Sequence, residues 1–355
     1  MANLTHDRKV LLLARDLGLS TRGDPLSAIR TYALNQVHSI ISNSPLPITT
    51  LALLRRALAS KFRVQIETIE SDEDIERIAA EYADFSQHMR RRLREEFLTG
   101  TTEGITLLRE NFDPLRARFL VIADARGEQG ARTYFTIWHE LSHLLVHPSQ
   151  LPIPGFRRTP SPPEISKDPI EQVVDHVAGH VAFFEPLFRP AAIASIATHG
   201  GLSFAAIDHA RSQADIPTAS IYASAIQMVE YTSTPCALVT VARILKPTEH
   251  RRVLSPQQEL GIAPAPVPMP RLRVTALIGN RAAQGCGLEI WRNMRVPDDS
   301  VLSRAFAAEG PGTWVGDEDQ SWWVTSANGP LTALPIRIEA TRQGRFVYGL
   351  ISVLT

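Results

Sequence analysis

Cysteine is nearly absent from this chain of 355 residues: Cys236 and Cys286 are the two present. They cannot build a cysteine-rich zinc site and are too few for a disulfide framework, which fits a reducing compartment. An excess of one charge is also missing. Thirty-seven Lys and Arg balance 37 Asp and Glu, so no global field draws the chain to nucleic acid or an anionic membrane. No uninterrupted apolar run approaches the ~18 residues of a membrane span. The apolar stretch Val10 to Ala14 is broken by Arg15 and Asp16 and is too short for a signal peptide core. Aliphatic, aromatic and cysteine residues nevertheless make up 44% of the chain and charged residues 21%, ordinary globular usage with enough apolar side chain for a core. At roughly 150 residues per domain the length suggests two or three domains. The expectation is a cytoplasmic α+β protein with no membrane partner.

Hydrophobic period orders the chain. Asp24-Pro25 predicts a helix N-terminus, with Ile29, Ala33, Val37 and Ile41 on one face behind it. A second helix is expected from Thr49 to about Ser60, then a strand in which Phe62, Val64 and Ile66 alternate with polar residues. Ser71 and Asp74 resemble a capping box. They open what reads as one long amphipathic helix, Ile75 to Phe97, ending at Gly100. Its Arg90-Arg91-Arg92 run lies among acids and reads as a solvated, ion-paired face. Ile105–Leu108 and Arg118–Ala123 read as strands, and Thr133–Val146 as a buried helix. The proline-rich stretch Pro148 to Pro163 reads as an extended loop. An apolar helix follows from Asp168-Pro169 to Phe184. Two helices are expected between Ser203 and Tyr231, then a strand at Ala237–Leu245. Lys246 to Pro270, with six prolines, has the texture of a semi-rigid linker. Beyond it come short strands, including Leu272–Leu277, Trp322–Val324 and a hairpin of Ile336–Glu339 with Phe346–Tyr348.

The chemistry concentrates in His139-Glu140-Leu141-Ser142-His143. Residues four apart on a helix share a face, so the two imidazoles can meet one metal ion, while Glu140 reaches a water beside it without taking a coordination position. With 11 histidines in the chain, this spacing arises by chance about 0.02 times in such a sequence. Catalytic zinc needs a third protein ligand and one open position. His147, Asp168, Glu171, Asp175, His176 and His180 are the downstream candidates. His147 lies on the same helix, and three ligands on one straight helix cannot converge. The longer spacing with a third histidine six residues on is absent, because Ser149 stands there. Glu171 and Asp175, one turn apart, suit a ligand and an acid that fixes the ring of a ligating histidine. His176 and His180 form a competing pair on another face, about 100° round, where they could instead line a substrate cleft.

The segment from Arg132 to Leu145 resembles the active-site helix of the ImmA/IrrE-type metallopeptidases. The stretch from Glu171 through Asp175 to Pro186 is similar to the family's second motif, an acid followed four residues later by Asn or Asp. Trp138 and Ser142 stand where the family usually has a small residue and glycine. The resemblance implies His139, His143 and Glu171 as metal ligands and Glu140 as the base. More weakly, the domain order is similar to the radiation-response branch. That implies a zincin-like, mostly helical peptidase domain with a small sheet over 1–200 and a helix-turn-helix-like segment over 201–246. A proline-rich linker over 247–270 and a strand-rich GAF-like domain over 271–355 complete the expectation.

The leading reading is a zinc endopeptidase acting on a partner protein. The resemblance implies that this partner is a helix-turn-helix repressor whose cleavage switches on a stress response. Manganese stays open as the metal, since availability also sets loading. Tyr134, His176 and His180 are the candidates for steadying an oxyanion or touching substrate. The second reading is a regulator or sensor that contains a metal and acts by binding alone. Direct DNA binding is not expected, because Thr218 to Tyr231 holds neither Lys nor Arg to meet phosphates. Trp291, Trp314, Trp322 and Trp323 read as packing residues more than as a ligand cage. A small-molecule effector of the C-terminal domain, and a redox role for Cys286, have no residue-level support.

Overall fold

A computed structural model describes residues 6–85, 88–98, 102–111, 113–127, 130–146, 156–158, 168–253, 268–308, 310–325, 329–343 and 346–354. The fold is mixed α+β. It divides into two compact units, Met1–Ala191 with Arg211–Ser220, and Ala192–Ala210 with Ile221–Thr355.

The first unit begins with helices α1 (Arg8–Asp16), α2 (Pro25–Ser42) and α3 (Leu51–Phe62). Asp7, Asp24 and Thr50 each cap their helix by accepting from a backbone N–H of the first turn, satisfying donors that have no intrahelical partner. Strand β1 (Val64–Ile69), helices α4 (Asp72–Glu81) and α5 (Met89–Phe97), and strands β2 (Thr102–Leu108) and β3 (Phe119–Asp124) follow. After them come helix α6 (Gly130–Val146), strand β4 (Phe156–Arg158) and helix α7 (Pro169–Ala182). The sheet order is β1-β3-β2-β4. β1 runs parallel to β3, while β2 is antiparallel to both β3 and β4.

The capping box forms as expected, with Asp74 Oδ2 accepting from the backbone N–H groups of Glu70 and Ser71 at 3.0 Å. The single long helix behind it does not. It breaks between Glu81 and Met89 into α4 and α5. A continuous helix from Ile75 to Phe97 would run about 34 Å, whereas a seven-residue strand such as β2 spans about 23 Å. Folding the helix back lets Ile75, Ile78, Met89, Leu93 and Phe97 all pack on Ile105, Leu107, Leu120 and Ile122 of the sheet. Phe85 anchors the break: it is fully buried, and the Arg109 guanidinium lies over its ring at 3.9 Å.

The opposite face of β2 meets α6. Strand alternation turns Gly104 and Thr106 away from Ile105 and Leu107. From Thr136 to Val146 the helix is buried all round, as befits a core helix, packed by β2, β3, α2, α3 and α7. Its start is tied to the end of β3 by the Thr133 hydroxyl, which donates to the Asp124 carbonyl at 3.0 Å. Gly104 sets the spacing. A Cβ there would fall far inside contact distance of Thr136 Cγ2 and lie 3.2 Å from the Ile122 carbonyl oxygen.

Helices α8 (Glu185–Thr198) and α9 (Phe204–Gln213) cross the division between the units. The second unit continues with α10 (Ile221–Tyr231), β5 (Cys236–Ile244), α11 (Pro247–Val253) and β6 (Arg271–Gly279). Next come α12 (Arg281–Gly285), α13 (Val301–Ala307), β7 (Thr313–Asp319), the small β8 (Val324–Thr325) and β9 (Gly329–Pro330), β10 (Pro335–Gln343) and β11 (Phe346–Val353). Its main sheet is antiparallel, in the order β6-β5-β11-β10-β7.

This order corrects the expected boundaries. β5 pairs with both β6 and β11, so it belongs with the C-terminal strands and not with the helical segment 201–246. The proline-rich stretch 247–270 joins neighbouring strands of one sheet. Its start is helical, as α11, and residues 254–267 lie outside the described residues. The loop Pro148 to Pro163 also lies outside them, apart from β4 at Phe156–Arg158. The tryptophans do not share one environment. Trp323 is fully buried and Trp314 packs on the same core, while Trp291 and Trp322 are about half exposed. Trp322 sits in a 3-10 turn, Gln320–Trp322, where a strand was expected. Cys286 is half-buried, its Sγ donating to the Ala283 carbonyl. Among the described residues no single helix is long and apolar enough to cross a membrane.

Gly104→Ala is expected to lower stability by about 1–3 kcal/mol through overpacking. Gly179→Ala in α7, where a Cβ meets nothing within 4 Å, should instead raise it by about 0.5–1 kcal/mol. Thermal or urea unfolding of the two variants checks the opposite signs.

Candidate metal centre

Two helices build the centre. α6 carries His139, Glu140 and His143, with His139 and Glu140 fully buried and His143 only 7% exposed. α7 starts at an Asp168 N-cap whose Oδ1 accepts from the Ile170 N–H at 2.8 Å, with Pro169 at the first helical position. Glu171 therefore falls in the first turn, where the helix dipole favours a carboxylate. Asp175 follows one turn later on the same face.

The donor atoms converge. His139 Nε2 lies 3.2 Å from His143 Nε2 and 3.0 Å from Glu171 Oε2, and His143 Nε2 lies 3.6 Å from Glu171 Oε1. His139, His143 and Glu171 form a cluster able to hold a metal ion, all ligand atoms being within 4.8 Å of one another. A tetrahedron with metal–ligand bonds of about 2.0 Å has edges of about 3.3 Å, close to the 3.2 Å between the two imidazole nitrogens and the 3.0 Å from His139 Nε2 to Glu171 Oε2. The donor set of two imidazoles and a carboxylate suits zinc and admits manganese.

The tautomer follows from Asp175. His139 Nδ1 lies 2.8 Å from Asp175 Oδ1, and the carboxylate takes the ring N–H there. In the neutral ring, Nε2 then turns a lone pair towards Glu171 and the second imidazole, an arrangement that repels unless a cation sits among the three. A proton partly fills that role. Burial disfavours the charged ring, but the hydrogen bonds to Asp175 and Glu171 and the nearby Glu140 charge outweigh it and push His139 up to about 9. Burial would likewise raise Glu171, yet its bonds to His139 and His143 hold it well below the usual carboxylate range.

Glu140 is set apart. Its carboxyl is raised by burial, an effect that the charges of His143 and His139 and a hydrogen bond from Thr106 only partly offset. Oε2 accepts from Thr106 Oγ1 at 2.5 Å. Oε1 is buried and has no hydrogen-bond partner. A fully buried carboxylate oxygen without a donor is costly, and Glu140 Oε1 is such an acceptor.

The remaining candidates lie elsewhere. The Tyr134 hydroxyl donates to the Ala182 carbonyl at 2.5 Å. Tyr134 sits five residues before His139, about 140° round the helix. His176 and His180 stack edge to face at 4.9 Å and do not join the ligand cluster. Their charged surroundings come from α2 and the start of α8. Burial and Arg30 lower His176, against a smaller opposing effect of Asp24. Burial, His176 and Arg30 hold His180 down to about 4, against Glu185. His147 lies outside the described residues. Thr106 is the participant that sequence reasoning missed. A lone threonine between Ile105 and Leu107 marks a polar position on a buried strand, but its partner is 34 residues away.

No protein-family model matches the chain, and no curated protein matches it either. The chemical reading rests on the site itself.

Two outcomes follow for metal binding. Because a cation must displace the proton that His139 holds up to about pH 9, affinity should rise about tenfold per pH unit between pH 6 and 8, with about one proton released. Calorimetry in two buffers of different ionisation enthalpy counts that proton. Asp175→Ala should weaken zinc about 10- to 100-fold, read by chelator competition.

Proposed function

We propose that the chain is a zinc-dependent endopeptidase of the ImmA/IrrE type that hydrolyses a peptide bond in a partner protein. The observation that carries this reading is Glu140 Oε1, a buried carboxylate oxygen with no donor, on the helix that supplies two of the three clustered ligands. A site that only held a metal for structure would have no use for a buried acid between the two histidines. Held by His139, His143 and Glu171, zinc would supply Lewis-acid polarisation of the scissile carbonyl and lower the pKa of a water towards ~7.

The side chains do the rest. Glu140 takes the proton of the attacking water as its oxygen bonds to the carbonyl carbon. It then passes that proton to the amide nitrogen as the C–N bond breaks. Burial of Glu140, which raises its carboxyl above the usual carboxylate range, suits a group that must first accept and later return a proton. Asp175 keeps His139 in the tautomer that presents Nε2.

Family resemblance extends the proposal to a zincin-like first domain, a helix-turn-helix-like pair in α9 and α10, and a GAF-like C-terminal domain. The substrate proposed on the same ground is a helix-turn-helix repressor, cleaved to switch on a stress response. Direct contact of α10 with DNA is not part of this reading, since the helix carries no Lys or Arg.

Glu140→Gln should retain zinc and lose cleavage. Metal-loaded wild type and this variant, each incubated with the proteome of the source cell, are compared by mass spectrometry of new peptide termini. Termini that appear only with the wild type are the expected result. Equal termini in both remove Glu140 from the chemistry.

A further inference from the structure

A carboxylate base has two equivalent oxygens on a soft terminal torsion, so which oxygen works is undefined until something holds the other. In this chain the holder is Thr106. Its side chain is buried at 3% exposure, and its Oγ1 donates to Glu140 Oε2 at 2.5 Å. Glu140 has no solvent-exposed surface, so no bulk water competes for the bond. Oε1 keeps no partner of its own.

We propose that Thr106 is the positioning residue for the base: by occupying Oε2 it fixes the carboxylate plane and assigns the proton-accepting role to Oε1. This inference rests on the hydrolytic reading of the centre.

Three features make the hydroxyl a fixed support. Thr106 stands in the interior of the sheet, opposite Val121 of β3 in an antiparallel register, and sites built on strands hold their geometry better than sites on loops. Its β-branched side chain is stiff at χ1, so the donor direction does not wander. Two residues earlier on the same strand face, Gly104 removes the Cβ that would push α6 outward at Thr136 and reach within 3.7 Å of Glu140 Cγ. The glycine sets how close the base comes, and the threonine sets how it turns.

The test uses the full chain loaded with zinc and acetohydroxamate as the probe. A hydroxamate binds the metal through both oxygens and hands its hydroxyl proton to a base beside it, so its affinity reads the placement of Glu140 without a known substrate. Wild type, Thr106→Val, Thr106→Ser and Glu140→Gln are compared by zinc competition and by hydroxamate calorimetry. Zinc affinity should be unchanged in all four. Thr106→Val should weaken the hydroxamate about tenfold or more, approaching Glu140→Gln, and Thr106→Ser should restore it. Should valine prevent folding, Thr106→Ala is the second variant without a hydroxyl. Wild-type hydroxamate affinity in Thr106→Val, with only its unfolding temperature lowered, would overturn the positioning role. So would a serine variant as weak as valine. Absence of zinc or hydroxamate binding in the wild type would instead overturn the hydrolytic reading beneath it.

Discussion

Donor atoms of His139, His143 and Glu171, carried on two helices of the first unit, approach one another at 3.0–3.6 Å, and the other features of the centre answer to that arrangement. Unprotonated ring nitrogens and a carboxylate repel at such distances unless a cation joins them. Helix α6 is buried so deeply that water cannot relieve the strain. Asp175 accepts a hydrogen bond from the Nδ1–H of His139 and so disfavours the other way of turning its ring. The pair of helices is thereby primed for a metal ion before one arrives, with a proton as the weaker substitute.

The sheet beneath supplies the precision. α4 and α5 cover one face of β2 and β3, and α6 lies against the other, so the strand sequence Gly104-Ile105-Thr106-Leu107 speaks to both layers in alternation. The apolar residues build the core shared with α4 and α5, while the small and polar residues govern the helix that carries the histidines. One strand thus couples the stability of the unit to the aim of its buried acid. A second carboxylate–hydroxyl bond of this kind occurs in the other unit, where Ser300 Oγ donates to Glu318 Oε1 at 3.0 Å. There the same oxygen also accepts the Val301 backbone N–H at 2.6 Å and anchors the start of α13, a structural use of the same chemistry.

Local signals were the legible ones. Asp24-Pro25, Ser71 with Asp74, and Asp168-Pro169 announced helix starts that formed, because capping depends on neighbours a few residues away. The histidine pair and Glu171 were readable because helical spacing fixes a face. What depended on distant partners was not readable. Nothing local breaks Ile75 to Phe97 into two helices; the limit is the length of the strands below. Proline content suggested that 247–270 separates domains, yet strand pairing carries β5 across that stretch to β6. The bond from the Tyr134 hydroxyl to the Ala182 carbonyl spans 48 positions. Thr106 gave no hint of its partner across 34 positions.

X-ray absorption at the zinc edge of the metal-loaded full chain reads the ligand set itself. The expected spectrum is that of a four-coordinate shell of nitrogen and oxygen at about 2.0–2.1 Å with the outer scattering of two imidazoles and no sulfur. Loss of one oxygen-type ligand in Glu171→Ala, and of one imidazole in His143→Ala, should follow. A spectrum with sulfur in the shell, or one without imidazole scattering, would contradict it.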